Sequence, residues 1–160
     1  MHADLSLRRA ALADLAAIHA LGDEVCAVHR DAHPDIFAGP GEPERDRTHW
    51  RDAIAQDDAH AAFVAERAGT IVGFVTGHVS DEPSPMFVPV RVCQVGTLGV
   101  AASARGQGIG RALMAQLEAW AREQGADETH LVVWRFNERA ARLYEELGYE
   151  ERCAVMARRL

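Results

Sequence analysis

"RGQGIGRAL", residues Arg105 to Leu113, sets three glycines within five positions and runs at once into an apolar stretch with helical spacing. The first amide N–H groups of any helix lack intrahelical partners, and the helix dipole makes that end attractive to anions. Glycines there allow positive φ and let a phosphate approach the backbone without meeting a Cβ. The stretch therefore reads as a pyrophosphate cradle between a strand and a helix. Its spacing separates it from two common nucleotide loops. Gly106, Gly108 and Gly110 follow GxGxG, not the GxGxxG of a dinucleotide fold, and a Walker loop needs a Lys, a residue this chain lacks altogether.

Upstream, "VRVCQVGTLGV" (90–100) is a long strand interrupted by Gly96 and Gly99, the mark of a bulge or a close backbone approach. Downstream, Ile109, Leu113, Leu117 and Trp120 form the buried stripe of a helix that ends at Gly125. "THLVVW" (129–134) reads as a strand, "ERAARLYEELG" (138–148) as a helix and "YEERCAVMARRL" (149–160) as two short terminal strands. Toward the N-terminus, "LSLRRA" (5–10) is a first strand, and residues 13–33 form a helix stopped by Pro34. A loop rich in Pro and Gly and a polar helix at 44–56 follow, then a hairpin over 60–80 that turns at Ala68-Gly69. The order is that of a mixed α/β sheet.

With 160 residues, 48% of them hydrophobic, one domain spanning 1–160 has enough apolar material for a core. No apolar run reaches the length of a membrane span, and "MHADLSLRRA" has no apolar signal region, so a cytoplasmic protein with no membrane partner is expected. Acidic residues outnumber basic ones by 24 to 17, for a net charge of −7, which argues against a nucleic-acid partner. Cys26, Cys93 and Cys153 have no CxxC spacing and are expected to be buried, reduced thiols, with no metal bound. His29 and His33 stand four apart without an evident third ligand.

"LGVAASARGQGIGRALM" (98–114) resembles the acyl-CoA-binding segment of the GNAT superfamily of N-acetyltransferases, whose signature [RQ]-x-x-G-x-[GA] is filled by Arg105, Gly108 and Gly110. "NERAARLYEELGYEE" resembles the family's downstream motif through Asn137, Ala140, Leu143, Tyr144, Gly148 and Tyr149. The resemblance implies an α/β (α+β) GNAT fold: a mixed, mostly antiparallel sheet splayed between strands 4 and 5, with helices on both faces. It implies acetyl-CoA as co-substrate, with Leu98, Gly99 and Val100 pairing the pantetheine arm. The amides of Arg105, Gly106, Gln107, Gly108, Ile109 and Gly110 would hold the pyrophosphate; Arg105, Arg111 and Arg142 are the alternatives for a side-chain contact with the phosphates, against a reading of the arginines as solvated faces. Tyr144 would act as general acid toward the leaving thiolate, and Asn137 would orient the pantetheine or an ordered water. The acceptor would be a small-molecule amine or a protein amino group, attacking the thioester directly, with no metal. The resemblance is also compatible with a homodimer through the terminal strands.

One departure concerns the general base. Many members of the superfamily carry a carboxylate on the fourth strand, where this chain reads Gly96-Thr97 with Gln94 upstream. Asp81, Glu82, His78 or a water chain are the alternatives. An acyl-CoA-sensing module without turnover is the competing reading, and the missing carboxylate is its support. The first helix and the stretch "HRDAHPDIF" (29–37) would border the acceptor in the resembled family. Asp31, Asp35, Asp81 and Glu82 would then favour a small cationic amine.

Overall fold

In the computed structural model of the protein, residues 5–37, 43–54, 57–81 and 85–160 are described. Ala68 and Gly69 both take positive φ, +49° and +76°. Two such residues in succession match the twist of a tight hairpin, so β2 (His60–Arg67) folds back on β3 (Thr70–Asp81). β1 (Leu5–Arg9) pairs antiparallel with β2, and β4 (Arg91–Val100) antiparallel with β3. β5 (Glu128–His130) joins β4 in parallel, giving the order β1-β2-β3-β4-β5. A parallel neighbour needs a crossover helix, and α3 (Ile109–Glu123) supplies it.

Alternation along the strands gives each face of the sheet its own core. On one side Phe63, Val75, Val79, Cys93 and Val95 pack with Leu113, Met114, Leu117 and Trp120 of α3. On the other, Val64 and Phe74 meet Ile18 and Leu21 of α1 (Leu15–Ala32) and Trp50 and Ile54 of α2 (Pro43–Ile54). This is the expected mixed, mostly antiparallel sheet with helices on both faces. The helix α4 (Glu138–Glu146) completes the set. Among the described residues no helix is long and apolar enough to cross a membrane.

Contact between α1 and α2 depends on Gly22, where an added Cβ would collide with the ring of Trp50. Trp50 is buried and rigid, so the collision cannot be relieved by a rotamer change alone. Gly22→Ala is expected to cost about 1–3 kcal/mol of stability, the range for overpacking. Denaturant titration checks it, and an unchanged midpoint would show that the two helices are not in close contact.

Within the sheet, β4 leaves β5 early. Their pairing runs Val92 with Glu128, Cys93 with Thr129 and Gln94 with His130, and there it ends. From Val95 to Val100, β4 is bonded to β3 alone. Here Val75 pairs with Leu98 but Gly77 with Val95, so Gly96 and Thr97 together face Thr76 in a β-bulge. The Thr97 amide donates to Thr76 Oγ1 at 3.0 Å. A Cβ on Gly96 would stand 2.6 Å from that same oxygen, so the bulge needs glycine there. The bulge and the lost pairing open a cleft along the free side of β4, between strands 4 and 5 as expected.

Three expectations are corrected. The strand read over 129–134 is only Glu128–His130, and Leu131–Trp134 leave the sheet with Val132 74% exposed. The two terminal strands over 149–160 do not form, because among the described residues no neighbouring strand offers them a ladder. Cys26 and Cys153 are exposed, and only Cys93 is buried, since Cys26 lies on the outer face of α1 and Cys153 on the chain end. Glu82 and part of the loop after Pro34 lie outside the described residues.

Candidate functional site

Three separate stretches of sequence meet where the cleft reaches the mouth of α3. A Cβ on Gly110 would lie 3.2 Å from Leu143 Cδ2, 3.7 Å from Leu98 Cδ2 and 3.9 Å from Val100 Cγ2. Gly110 therefore lets α4, the end of β4 and the first turn of α3 approach one another. The sequence suggests phosphate access for this glycine; the structure gives it a packing role. Gly106 and Gly108 fit the phosphate reading. Both take positive φ, +74° and +79°, and a Cβ on either would meet nothing within 4 Å, so open space lies before them.

Across this loop the backbone amides from Arg105 to Arg111 find no acceptor among the described residues; the first bond of the helix runs from the Ala112 amide to the Gly108 carbonyl. The side chains, by contrast, are engaged. Arg105 Nε donates to the Val100 carbonyl at 2.9 Å and its Nη2 lies 3.7 Å from Glu24, which also accepts from the Ala102 amide. Gln107 Oε1 accepts from Arg67 at 2.6 Å, and its amide donates to the Ser103 carbonyl. Arg111 pairs with Glu146 of α4. Arg105 and Arg111 thus brace the loop, and the free backbone amides are the donors left to meet an anion.

Asn137 caps α4, its Oδ1 accepting from the Ala140 amide at 3.2 Å. Its side-chain NH2 remains as a donor. Two turns on, Tyr144 is half-buried against the α3 core, with its ring edge-on to Tyr149 at 5.7 Å. Burial pushes its phenol above the ordinary value of 10.0, so the protonated donor form persists at neutral pH. The chain has two tyrosines. The Tyr149 hydroxyl is bound to Thr129 at 2.8 Å and donates to Glu118 at 2.9 Å, whereas that of Tyr144 makes no hydrogen bond among the described residues. Tyr144 is thus the phenol left available.

Where α1 crosses the sheet, Val25 packs beside Gly99 of β4, and the last turns of the helix continue over the cleft. There His29 and His33 stack edgewise on Phe136, His29 also meets Phe37, and Phe37 and His33 reach Trp134. Nδ1 of His29 donates to the Val25 carbonyl at 2.8 Å, which fixes the orientation of the ring. The sequence singles out the histidines but not Phe37, Trp134 and Phe136, and Trp134 and Phe136 stand about a hundred residues from them along the chain. Among the described residues no group of three His, Cys, Asp or Glu is placed to hold a metal.

Of the candidate bases, Asp81 pairs with Arg91 at the closed end of β4, and by strand rise that is roughly 20 Å from Thr97. His78 is two residues from Thr76 on the same strand face, stacked on His60 with ring centroids 5.8 Å apart. Cys93 is buried and its thiol is pushed up to about 11, chiefly by burial with Glu118 adding to it, which suits packing and not nucleophilic attack.

Residues 23–149 match the acetyltransferase (GNAT) family. The chain belongs to that family. It is 40% identical over 92 residues to a mycothiol acetyltransferase of Thermobispora bispora, covering 58% of this chain and 30% of that protein. A mycothiol acetyltransferase of Propionibacterium freudenreichii is 35% identical over 133 residues, covering 79% and 39%. The matched part of this GNAT chain thus spans between 30% and 39% of the length of these relatives. Its fold is shared with a mutant of the BH1408 protein of Bacillus halodurans, at TM-score 0.88 and 24% identity over 97% of this chain and 99% of the other. It is shared too with the aminoglycoside N-acetyltransferase AAC(6')-Iy in complex with CoA, at TM-score 0.76 and 19% identity over 100% and 97%.

Proposed function

We propose that this GNAT domain transfers an acetyl group from acetyl-CoA to a primary amine by direct attack. The observation that carries the reading is the meeting of the end of β4, the mouth of α3 and α4 around Gly110, with the amides of 105–111 and the phenol of Tyr144 on α4 both without a partner among the described residues. The amides bind the pyrophosphate. Backbone groups of Leu98, Gly99 and Val100 pair with the amides of the pantetheine arm, in the manner of an added strand. When bound, acetyl-CoA supplies the thioester. The amine nitrogen forms a bond to its carbonyl carbon, the C–S bond breaks, and amide donors of the splayed strand steady the developing oxyanion. Tyr144 gives its proton to the departing sulfur, and solvent restores it. Asn137 positions the pantetheine or a water through its free NH2.

The proton lost by the amine passes to water or to His78, the candidate on the same strand face as the bulge. Relatives named mycothiol acetyltransferase, and a shared fold with an aminoglycoside N-acetyltransferase, favour a small-molecule acceptor over a protein amino group. The expected preference for cationic amines is weakened, because Asp35 pairs with Arg159 and Asp81 with Arg91.

Thiol release from acetyl-CoA across a panel of amines tests the reading. Turnover with at least one amine is expected. Tight acetyl-CoA binding without turnover would instead favour the sensing module, the second reading that the Gly96-Thr97 site supports.

A further inference from the structure

An attacking ammonium must lose a proton, and β4 carries no carboxylate to take it. The register of the sheet sets an imidazole beside the opening instead. Gln94 of β4 pairs with His78 of β3 on one side and with His130 of β5 on the other, and His78 pairs with His60 of β2. Directly paired residues share a face, so His60, His78, Gln94 and His130 form one row across four strands. That face is the one α1 covers, since Phe74 and Ala62 alternate in step with His78 and His60. Cys93 and Thr129 turn the other way, toward α3, where Thr129 bonds Tyr149 and Tyr149 bonds Glu118.

His130 ends the row and is the last rung of the β4–β5 ladder. Beyond it the strands part, so His130 borders the cleft, whereas β4 stands between the cleft and both His78 and His60. Thr97 of the bulge is three residues past Gln94, roughly 10 Å by strand rise. His130 Nε2 donates to Glu128 Oε2 at 2.9 Å, and its Nδ1 makes no hydrogen bond among the described residues. Glu128, on the same strand face, accepts in turn from Arg152 Nη1 at 2.6 Å and Nη2 at 3.3 Å. Arg152 above all, and His130 after it, hold the Glu128 carboxyl down to about 2, so it is a carboxylate at neutral pH. Such a carboxylate orients an imidazole and steadies the imidazolium that forms when the ring takes a proton. His29 and His33 have no such support: they stack on Phe37, Trp134 and Phe136, and no carboxylate bonds either among the described residues.

We propose that His130 accepts the proton of the acceptor amine, through one water, with Glu128 as its positioning residue. The inference rests on the acetyl-transfer reading and deepens it. The N–H bond of the ammonium breaks as Nδ1–H forms, the freed lone pair attacks the thioester carbonyl carbon, and the imidazolium then gives the proton to solvent. Tyr144 protonates the sulfur separately, so one proton leaves at His130 and another is drawn from solvent at Tyr144. Glu128 and Arg152 are the charged groups bonded around His130; Gln94 beside it is neutral, and His78 lies one strand farther.

Rates of acetyl transfer by the full chain, measured from mildly acidic to alkaline pH with a primary amine that it turns over, test the proposal. His130→Gln is expected to lower kcat/KM for the amine by about 10-fold or more at neutral pH and to leave acetyl-CoA affinity at the wild-type value. The deficit should close in alkali, where the amine arrives neutral and needs no base. Glu128→Gln should show a smaller deficit of the same pH dependence, and it keeps the test open if the first variant fails to fold. A deficit equal at every pH would make His130 a structural residue and overturn the proposal. So would a His130→Gln profile that overlays the wild type, with the pH-dependent loss in His78→Gln instead. A wild type that turns over no amine defeats the acetyl-transfer reading and this inference with it, whereas an active wild type beside an indifferent His130 variant defeats this inference alone.

Discussion

Tyr144→Phe is expected to lower kcat for acetyl transfer by about 100-fold or more, the usual scale for loss of a general acid, while leaving acetyl-CoA affinity nearly unchanged. Phe keeps the ring that packs on the α3 core and meets Tyr149 edge-on, so only the hydroxyl is lost. That hydroxyl has no partner among the described residues, so its removal orphans no other group. Tyr149→Phe is the contrast, because it removes the hydroxyl that bonds both Glu118 and Thr129; its effect should fall on stability. The sign of the pH effect follows from burial. With the phenol raised above 10.0, the donor form persists past that pH, so any alkaline limb that Tyr144 contributes to kcat lies above it and is absent in the Phe variant. A Phe variant that turns over at the wild-type rate would reduce Tyr144 to a packing residue.

Gly108→Val is expected to weaken acetyl-CoA binding by roughly 10- to 100-fold, the equivalent of one or two hydrogen bonds to a charged group. Gly108 holds φ +79°, and its Cβ position is open, so a branched side chain would stand in the space a phosphate must enter. Backbone strain at a left-handed residue costs about 1–2 kcal/mol of folding stability whatever the ligand does. Gly125→Val supplies the control. It sits at φ +78° at the far end of α3, and carries the same strain without touching the loop. Calorimetric titration of both variants should show the affinity loss for Gly108→Val alone. Equal affinity in the two would remove the loop from the binding site.

Much of this molecule is legible locally. The turn at Ala68-Gly69, the stripe of α3 and the glycines of the 105–110 loop are read from residue order, because backbone freedom and amphipathic spacing act over a few residues. The paired motifs around Gly108 and Tyr144 point to the GNAT family for the same reason. Each is a contiguous local device. What the sequence could not decide are the relations between distant segments. "THLVVW" has every local mark of a strand, yet a strand exists only where a second backbone answers its hydrogen bonds, and past His130 none among the described residues does. The same holds for residues 149–160. Whether a glycine serves a phosphate or a helix contact depends on what stands opposite it: Gly108 faces open space and Gly110 faces Leu143. Phe37, Trp134 and Phe136 gather on His29 and His33, and Tyr149, not Tyr144, spends its hydroxyl on Glu118, only because the tertiary fold brings those chains within a few ångströms. Local sequence determines what each segment can do; packing over long sequence distances determines which of those capacities is used, since contact energies depend on neighbours the local pattern does not contain.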